Sequence, residues 1–437
     1  MTTQPRTVLL YTSPARGHLY PMMDVALELR HRGHRAVVQT LAAEADRVRA
    51  AGVEHRPIDP RIEALELDDF RAGNPMAALR RTFDCWLARA PFEMEDLERS
   101  VDEIAPDLLL VDTNCWGASA FAEGSGRRWA GFLPYVLPVP SRDAPAFGPG
   151  FPPPEGVLHR MRDRMVHGAL RLGTRRQVNA LNLLREGVRA APLGAFTDLF
   201  LRPDPLLYRT TPPFDYPRSD LPASVHPIGP GLWAPPGEVP DWLHDLPHPR
   251  ILVSVSTEFQ GDGAIIEMAL DAFAGDEGSL VVTTASLDPA HFQPPNDRTR
   301  IVRFLPHAEV IPHVDLVITH GGMGTTQRAL AAGVPVCAIP WGRDQMETAR
   351  RVEVSGAGRL LPRKHLDPRR LREASIEAME RRDRATEIAE AFRAAGGAER
   401  GVELLELDGG GSGEHRAAGS REDDPPGLWE GDPAGSR

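Results

Sequence analysis

Two successive alternations of predicted strands and helices constrain the fold of this 437-residue chain more than any other feature. In the first half, strands are predicted at 7–12, 36–40, 54–58, 107–112 and 129–133. In the second half, they are predicted at 251–255, 279–284, 300–304, 314–319 and 334–339. Strands joined through helices by short connections form right-handed crossovers and parallel sheets. The sequence therefore predicts an α/β protein with two doubly wound parallel-sheet domains facing each other across a cleft.

Proline and glycine indicate where the domains end. Thirteen prolines lie between Pro203 and Pro249, and a segment this rich in proline cannot form central strands or helices. We predict a first domain at 1–229, an interdomain linker at 230–250 and a second domain at 251–407 that ends in a helix. The remaining segment, 408–437, is rich in glycine, serine and acidic residues and is predicted to be disordered.

Composition and charge exclude several classes of function. The chain has 61 acidic and 50 basic residues, a net charge of −11, which disfavours a nucleic-acid partner. Its three cysteines are too widely spaced for a disulfide framework or a metal knuckle. The apolar stretch 8–11 is too short for a secretory signal, and the longest uncharged run, 221–237, contains five prolines. We expect a cytoplasmic monomer or homodimer without membrane insertion.

A glycine cluster provides the sharpest motif. The sequence His-Gly-Gly-Met-Gly-Thr-Thr, residues 320–326, lies between a predicted buried strand and a predicted helix. Glycines let backbone N–H groups approach an anion, and a helix N-terminus adds positive potential, so this turn is suited to binding phosphate. Asp344 and Gln345 follow the next predicted strand, where their side chains could hold hydroxyl groups.

A histidine and an aspartate mark the corresponding edge of the first domain. His18 follows the first predicted strand, and an imidazole is suited to accepting a proton from a hydroxyl near neutral pH. Asp112 ends the strand at 107–112, from which its carboxylate could orient His18 and compensate its charge. The residues alone leave two alternatives open: His18 as a surface residue at the start of a helix, and Asp112 as a helix N-cap.

The stretch from about Phe304 to Gly358 resembles the donor-binding signature of the family 1 glycosyltransferases, and the similarity extends over nearly the whole chain except its acidic tail. Members of this family have the GT-B fold and transfer sugars from nucleotide diphosphate sugars. The resemblance implies contacts of several residues with the donor. It assigns the diphosphate to His320, Gly322, Gly324, Thr325 and Thr257, the nucleobase to Phe304, and the sugar hydroxyls to Asp344 and Gln345.

The N-terminal segment, with Gly17, His18 and Pro21, resembles the family's acceptor-side signature. The resemblance implies that His18 is the general base, that Asp112 is its partner, and that the reaction is a single inverting displacement. No metal or other cofactor is then expected beyond the nucleotide sugar (a TDP- or UDP-sugar) as co-substrate.

One position departs from the family pattern. Arg328 occupies the place of a glutamate that commonly binds the ribose hydroxyls, and an arginine offers hydrogen-bond donors only. Two hypotheses follow: the donor is a deoxyribose nucleotide such as a TDP-sugar, or Gln327 or Glu347 substitutes for the missing acid. In either case Arg328 is a candidate for donor selectivity.

The family builds its acceptor pocket from the first domain, here from segments 65–86 and 134–200. Aromatic residues in and beside these segments favour a hydrophobic small-molecule acceptor, such as a polyketide antibiotic. The candidates for the pocket wall, which could equally belong to the domain core, are Phe83, Trp86, Phe132 and Tyr135.

Three other functions compete with glycosyl transfer. A nicotinamide-dependent dehydrogenase would share the architecture, but the turn 13–18 lacks the G-x-G-x-x-G motif that binds dinucleotides. A sugar-nucleotide epimerase of the same fold would need carboxylates for C–H chemistry. A catalytically silent helper protein could have lost a residue that is common in the family, as at Arg328. Such a protein would have no need to keep the other motif residues intact.

Overall fold

The structure, a computed structural model, describes residues 4–256 and 261–407. It contains two parallel β-sheets with helices on both faces, which confirms the predicted α/β class. The strands of the first sheet, whose spatial order is β3-β2-β1-β4-β5-β6-β7, are β1 (Thr7–Tyr11), β2 (Arg35–Thr40), β3 (Glu54–Pro57), β4 (Leu108–Asp112), β5 (Trp129–Leu133), β6 (Leu206–Tyr208) and β7 (Val225–Pro227).

The second sheet has the spatial order β10-β9-β8-β11-β12-β13, and every strand pair in it is parallel. Its strands are β8 (Arg250–Ser254), β9 (Ser279–Thr283), β10 (Thr299–Val302), β11 (Leu316–Thr319), β12 (Val336–Ala338) and β13 (Gly358–Leu360). The sequence order reverses between β1 and β4 in the first sheet and between β8 and β11 in the second. Such reversals open a crevice at the carboxyl ends of the strands, where ligands bind.

The α-helices cover the sheets and connect their strands. They are α1 (Arg16–His31), α2 (Ala45–Ala50), α3 (Pro60–Glu63), α4 (Pro75–Ile104), α5 (Trp116–Gly124), α6 (Val157–Gly173), α7 (Arg175–Gly187), α8 (Trp242–Asp245), α9 (Ala264–Phe273), α10 (His307–Val310), α11 (Met323–Ala331), α12 (Gln345–Val354), α13 (Pro368–Met379), α14 (Arg382–Ala394) and α15 (Gly397–Glu406). The predicted strands agree with the observed ones to within about two residues at each end. Strands β6, β7 and β13 were not predicted; β6 and β7 lie in the proline-rich region, and Pro227 ends the edge strand β7.

The domain boundaries differ from the predicted ones because helix α15 and Phe214 each pack into the core of the other domain. Helix α15, assigned by sequence to the second domain, packs on α1, and its Val402 and Leu405 lie in the first domain's core. In the opposite direction, Phe214 lies in the second domain's core against Phe392. Leu243 of the predicted linker lies in that same core. An amphipathic helix buries its apolar face wherever a complementary surface is open, so sequence alone does not assign it to a domain.

Helices α4 and α5 pack closely behind the carboxyl end of β4. A Cβ on Gly117 would lie 1.9 Å from the carbonyl oxygen of Ala90, so only glycine allows this approach. The buried side chain of Glu93, on α4, accepts a hydrogen bond from the Gly117 N–H (2.8 Å). Burial raises the pKa of Glu93 to about 8, and the nearby carboxylate of Asp112 acts in the same direction. Glu93 is therefore largely protonated at neutral pH.

This raised pKa predicts how stability depends on pH. The contribution of protonated Glu93 is fully present below the unfolded-state pKa of 4.5, declines as pH rises, and is lost once pH passes about 8. Glu93→Gln keeps a neutral side chain at every pH, so its urea midpoint should fall less between about pH 5 and about pH 9 than that of the unsubstituted protein. Glu98→Gln, at an exposed position on the same helix, is the control. If the urea midpoint falls equally with pH in Glu93→Gln and in the unsubstituted protein, the raised pKa of Glu93 is contradicted.

Candidate active site

The first half of the site lies at the reversal between β1 and β4. A short turn after β1 leads into α1, and His18 lies in the first turn of that helix. Its Nδ1 is 2.7 Å from Oδ2 of Asp112, the last residue of β4. The predicted pair is therefore brought together, by two strands that are neighbours in the sheet although about a hundred residues separate them in sequence.

The surroundings of Asp112 determine how the proton of His18 is placed. The Asp112 side chain is completely buried and also accepts hydrogen bonds from the backbone N–H groups of Ser13 (3.3 Å) and Asn114 (2.9 Å). Carboxylate oxygens accept hydrogen bonds, so at this contact His18 donates its Nδ1–H to Oδ2. The Nε2 atom of the ring consequently carries the lone pair, which is the arrangement a general base requires.

The second half of the site lies at the reversal between β8 and β11. His320 follows β11 directly and is 8% exposed. The next residue, Gly321, has φ +85°, and a Cβ on Gly322 would lie 2.6 Å from His320 Nε2, so both positions favour glycine. Burial lowers the pKa of His320, while the carboxylate of Asp262 opposes the shift. The imidazole is therefore mainly neutral near pH 7.

The glycine turn forms an N-terminus that can face an anion. Helix α11 begins at Met323, and its N-cap residue, Gly322, makes no side-chain capping bond. The N–H groups of its first turn, which include those of Gly324 and Thr325, are thus suited to phosphate oxygens. Thr257, the other predicted phosphate contact, lies outside the described residues. The backbone just before it is fixed by Asp262, which accepts the Ser256 N–H (2.7 Å).

Asp344 and Gln345 lie at the start of α12, beside the same cleft. The Gln345 side-chain oxygen accepts the N–H groups of Trp341 (2.8 Å) and Gly342 (2.9 Å), which fixes the turn that presents both residues. Burial raises the pKa of Asp344, while its own backbone, Arg343 and His18 act to lower it. His18 of the first domain and Asp344 of the second are therefore close enough to interact electrostatically.

Direct contacts tie the two domains together beside this cleft. The Oε1 atom of Glu347, on α12, accepts the N–H groups of Gly148 (2.8 Å) and Gly150 (2.9 Å) from the first domain. Arg343 pairs with Asp69 at 3.1 Å across the same boundary. Deeper in the interface, a buried ion pair joins Arg351 of the second domain to Asp215 at 2.7 Å. The sequence did not predict these contacts. Opposite charges and backbone N–H groups are common along the chain, and their pairing depends on the fold.

Arg328 does not project freely toward a donor. Its guanidinium donates to the carbonyl oxygens of Leu232 (2.7 Å) and Trp233 (3.2 Å) in the linker. Asp24 of the first domain accepts the N–H groups of the same two residues, at 2.7 and 2.8 Å. Arg328 therefore helps to fix the linker between the domains, and this contact with backbone carbonyls could not be read from the sequence.

Both residues suggested as substitutes for the missing ribose-binding acid are engaged elsewhere. Gln327 is buried and donates to the carbonyl of Arg209 (2.9 Å). Glu347 accepts the two glycine N–H groups through one oxygen and pairs with Arg351 (3.0 Å) through the other. Both carboxylate oxygens of Glu347 therefore already have partners within the protein, as does the amide nitrogen of Gln327.

The predicted aromatic wall of the acceptor pocket divides into two groups. Phe132 is a core residue of β5, and Phe83 is buried among Trp86, Trp116 and Phe196, so the structure places both in the core rather than on a pocket wall. Their aromatic character reflects packing. Trp86 and Tyr135 are half-buried, and the ring of Tyr135 lies 5.9 Å from that of His18. Phe304, predicted to stack on the nucleobase, follows the end of β10 and is 77% exposed.

Comparison with known proteins identifies the family. Residues 267–399 match the family described as "Erythromycin biosynthesis protein CIII-like, C-terminal domain". The chain is 31% identical to 4'-demethylrebeccamycin synthase of Lentzea aerocolonigenes over 385 residues, which is 84% of this chain and 90% of that protein. It is 30% identical to a PGL/p-HBAD biosynthesis rhamnosyltransferase of Mycobacterium bovis over 303 residues, 67% of this chain and 65% of the relative.

Solved structures agree on the fold. The glycosyltransferase of kitacinnamycin superposes with a TM-score of 0.73 at 22% identity, covering 92% of this chain and 99% of that one. The calicheamicin glycosyltransferase CalG4 gives 0.68 at 20% identity, covering 92% and 98%. Within the described residues, no helix is long and apolar enough to cross a membrane. The chain belongs to the family 1 natural-product glycosyltransferases of the GT-B fold.

Proposed function

We propose that this glycosyltransferase catalyses one inverting displacement, in which the hydroxyl of a hydrophobic small-molecule acceptor attacks the anomeric carbon of a nucleotide diphosphate sugar. The observation that carries the proposal is the 2.7 Å hydrogen bond between His18 Nδ1 and Asp112. His18 Nε2 takes the acceptor's proton as the new C–O bond forms. The nucleoside diphosphate leaves from the opposite face of the sugar, so the anomeric configuration inverts.

The second domain stabilises the departing diphosphate. Negative charge develops on the leaving oxygens, and donors already pointing at them lower the barrier without reorganisation. We assign this role to the backbone N–H groups at the start of α11 and to the buried imidazole of His320. We assign the sugar hydroxyls to Asp344 and Gln345. With these donors in place, we propose that the reaction proceeds without a metal ion.

The acceptor binds on the first-domain side of the cleft. Trp86 and Tyr135 are the half-buried aromatic candidates for its pocket. An apolar, aromatic wall with few polar groups suits a bulky hydrophobic aglycone. The relatives named for rebeccamycin and erythromycin biosynthesis support an antibiotic-type natural product as the acceptor class. We propose a cytoplasmic site of action, where nucleotide sugars are formed.

Substitution of the dyad provides the direct test. Asp112→Asn should lower kcat by about 10²–10⁴-fold, because the amide stabilises the imidazolium poorly and favours the wrong tautomer, and His18→Ala should lower it comparably. Product analysis with and without acceptor measures the effect: transfer releases free nucleoside diphosphate only when acceptor is present. An interconverted sugar nucleotide would indicate an epimerase, and no product at all would indicate a helper protein.

A matched control is available on the same helix. His31→Ala removes an imidazole from the exposed end of α1 and should leave turnover unchanged. Binding of the nucleoside diphosphate, measured by calorimetry, should be the same in His18→Ala as in the unsubstituted enzyme. Unchanged turnover in His18→Ala would overturn the base assignment.

The donor nucleotide is a second prediction. Arg328 offers donors only, and Gln327 and Glu347 are engaged within the protein, so a ribose 2'-hydroxyl lacks the usual acceptor at this position. We propose that the enzyme prefers a TDP-sugar, with kcat/KM about tenfold higher than for the UDP form of the same sugar. Arg328→Gln supplies an acceptor oxygen and should narrow that ratio. Because it also removes contacts to the linker, unchanged binding of the nucleoside diphosphate should accompany the narrower ratio. Values for the two donors within about threefold of each other would contradict the proposal.

A further inference from the structure

Besides Asp112, the side chain of Asn114 contacts the proposed base, His18. Asn114 lies two residues beyond Asp112, in the turn that leads into α5. Its amide nitrogen, Nδ2, is 3.2 Å from His18 Nε2, and its side-chain oxygen accepts a hydrogen bond from the Tyr135 hydroxyl (2.7 Å). One turn of the first domain therefore supplies partners to both nitrogens of the catalytic imidazole.

The chemistry of these groups determines which atom donates in each hydrogen bond between Tyr135, Asn114, His18 and Asp112. Burial raises the pKa of the Tyr135 phenol, so the hydroxyl keeps its proton and donates it to the Asn114 oxygen, which can only accept. That bond turns the amide N–H toward His18 Nε2. On the other side of the ring, Nδ1–H donates to Asp112. Donation thus runs in one direction, from Tyr135 through Asn114 and His18 to the carboxylate.

Resting on the base role of His18, we propose that Asn114, oriented by Tyr135, is a positioning residue that holds Nε2 unprotonated and aimed at the place the acceptor hydroxyl takes. An N–H donated to the lone pair stabilises the neutral imidazole relative to the imidazolium. When the acceptor binds, its hydroxyl replaces the amide at Nε2. The ring therefore receives the acceptor already in the tautomer and orientation that proton transfer requires, which reduces the reorganisation left for the reaction.

Removing Asn114 changes none of the charges around the base. Among the described residues, the ionisable groups that contact His18 or interact with it electrostatically include Asp112 at the end of β4, Tyr135 beyond β5 and Asp344 at the start of α12. Glu93 of α4 interacts in turn with Asp112. Asn114 is uncharged. A shift in the pH dependence of an Asn114 variant therefore reports the lost hydrogen bond rather than a changed electrostatic field.

The test is the pH profile of kcat/KM. In Asn114→Ala the acid limb should move to higher pH by about 0.5 unit or more, with kcat reduced about tenfold and the KM for donor unchanged. Tyr135→Phe should shift the limb in the same direction by a smaller amount. Because Tyr135 acts on His18 through Asn114, the acid limb of the double variant should coincide with that of Asn114→Ala alone. Tyr216→Phe is the control, since within the described part of the chain its buried hydroxyl has no hydrogen-bond partner.

The outcomes separate this inference from the proposed function. If His18→Ala is inactive and the acid limb of Asn114→Ala coincides with that of the unsubstituted enzyme, the base stands and the positioning role is overturned. Additive effects of Tyr135→Phe and Asn114→Ala would also overturn it. If His18→Ala turns over normally, the base assignment fails and this inference fails with it. Nucleoside diphosphate binding by each variant verifies that it is folded.

Discussion

The hydrogen bond between His18 Nδ1 and Asp112 Oδ2 is the interaction on which the rest of the site depends. It exists because β1 and β4 are neighbours at the point where the strand order of the first sheet reverses. One residue enters a helix after its strand and the other ends its strand, so their side chains meet in the crevice. The buried carboxylate fixes the proton of the ring on Nδ1, which leaves the lone pair on Nε2.

The second domain has the same reversal of strand order but places different groups there. Its sheet reverses between β8 and β11, and there the chain provides a buried neutral histidine and a helix N-terminus instead of a base. In the mechanism that we propose, one sheet edge accepts a proton while the other accommodates an anion, which are the two demands of sugar transfer from a nucleotide diphosphate. Glu347, Arg343 and Arg351 bind the first domain from the second and set the distance between the two edges.

Features that depend on strand order could be predicted from the sequence, whereas features that depend on side-chain packing could not. His18 and Asp112 could be paired in advance because both follow strands at one sheet edge. The contact of Asn114 with the base could not, since the direction of a side chain in a turn has no sequence pattern. Phe132 was misassigned because an aromatic residue fills a core as readily as a pocket wall. The role of Arg328 in fixing the linker could not be predicted, because its partners are backbone carbonyls, which every residue carries.

Nitrogen-15 NMR of the His18 ring shows directly whether Asp112 holds the proton on Nδ1, because the two ring nitrogens report their own protonation. In enzyme labelled at histidine, with the His18 signals assigned from the spectrum of His18→Ala, we expect at neutral pH a protonated Nδ1 and an unprotonated Nε2. Asp112→Asn should abolish that preference, since the amide no longer accepts the Nδ1 proton as the carboxylate does. A ring protonated at Nε2, or a His18 spectrum that Asp112→Asn leaves unchanged, would contradict the role of Asp112 in holding the proton on Nδ1.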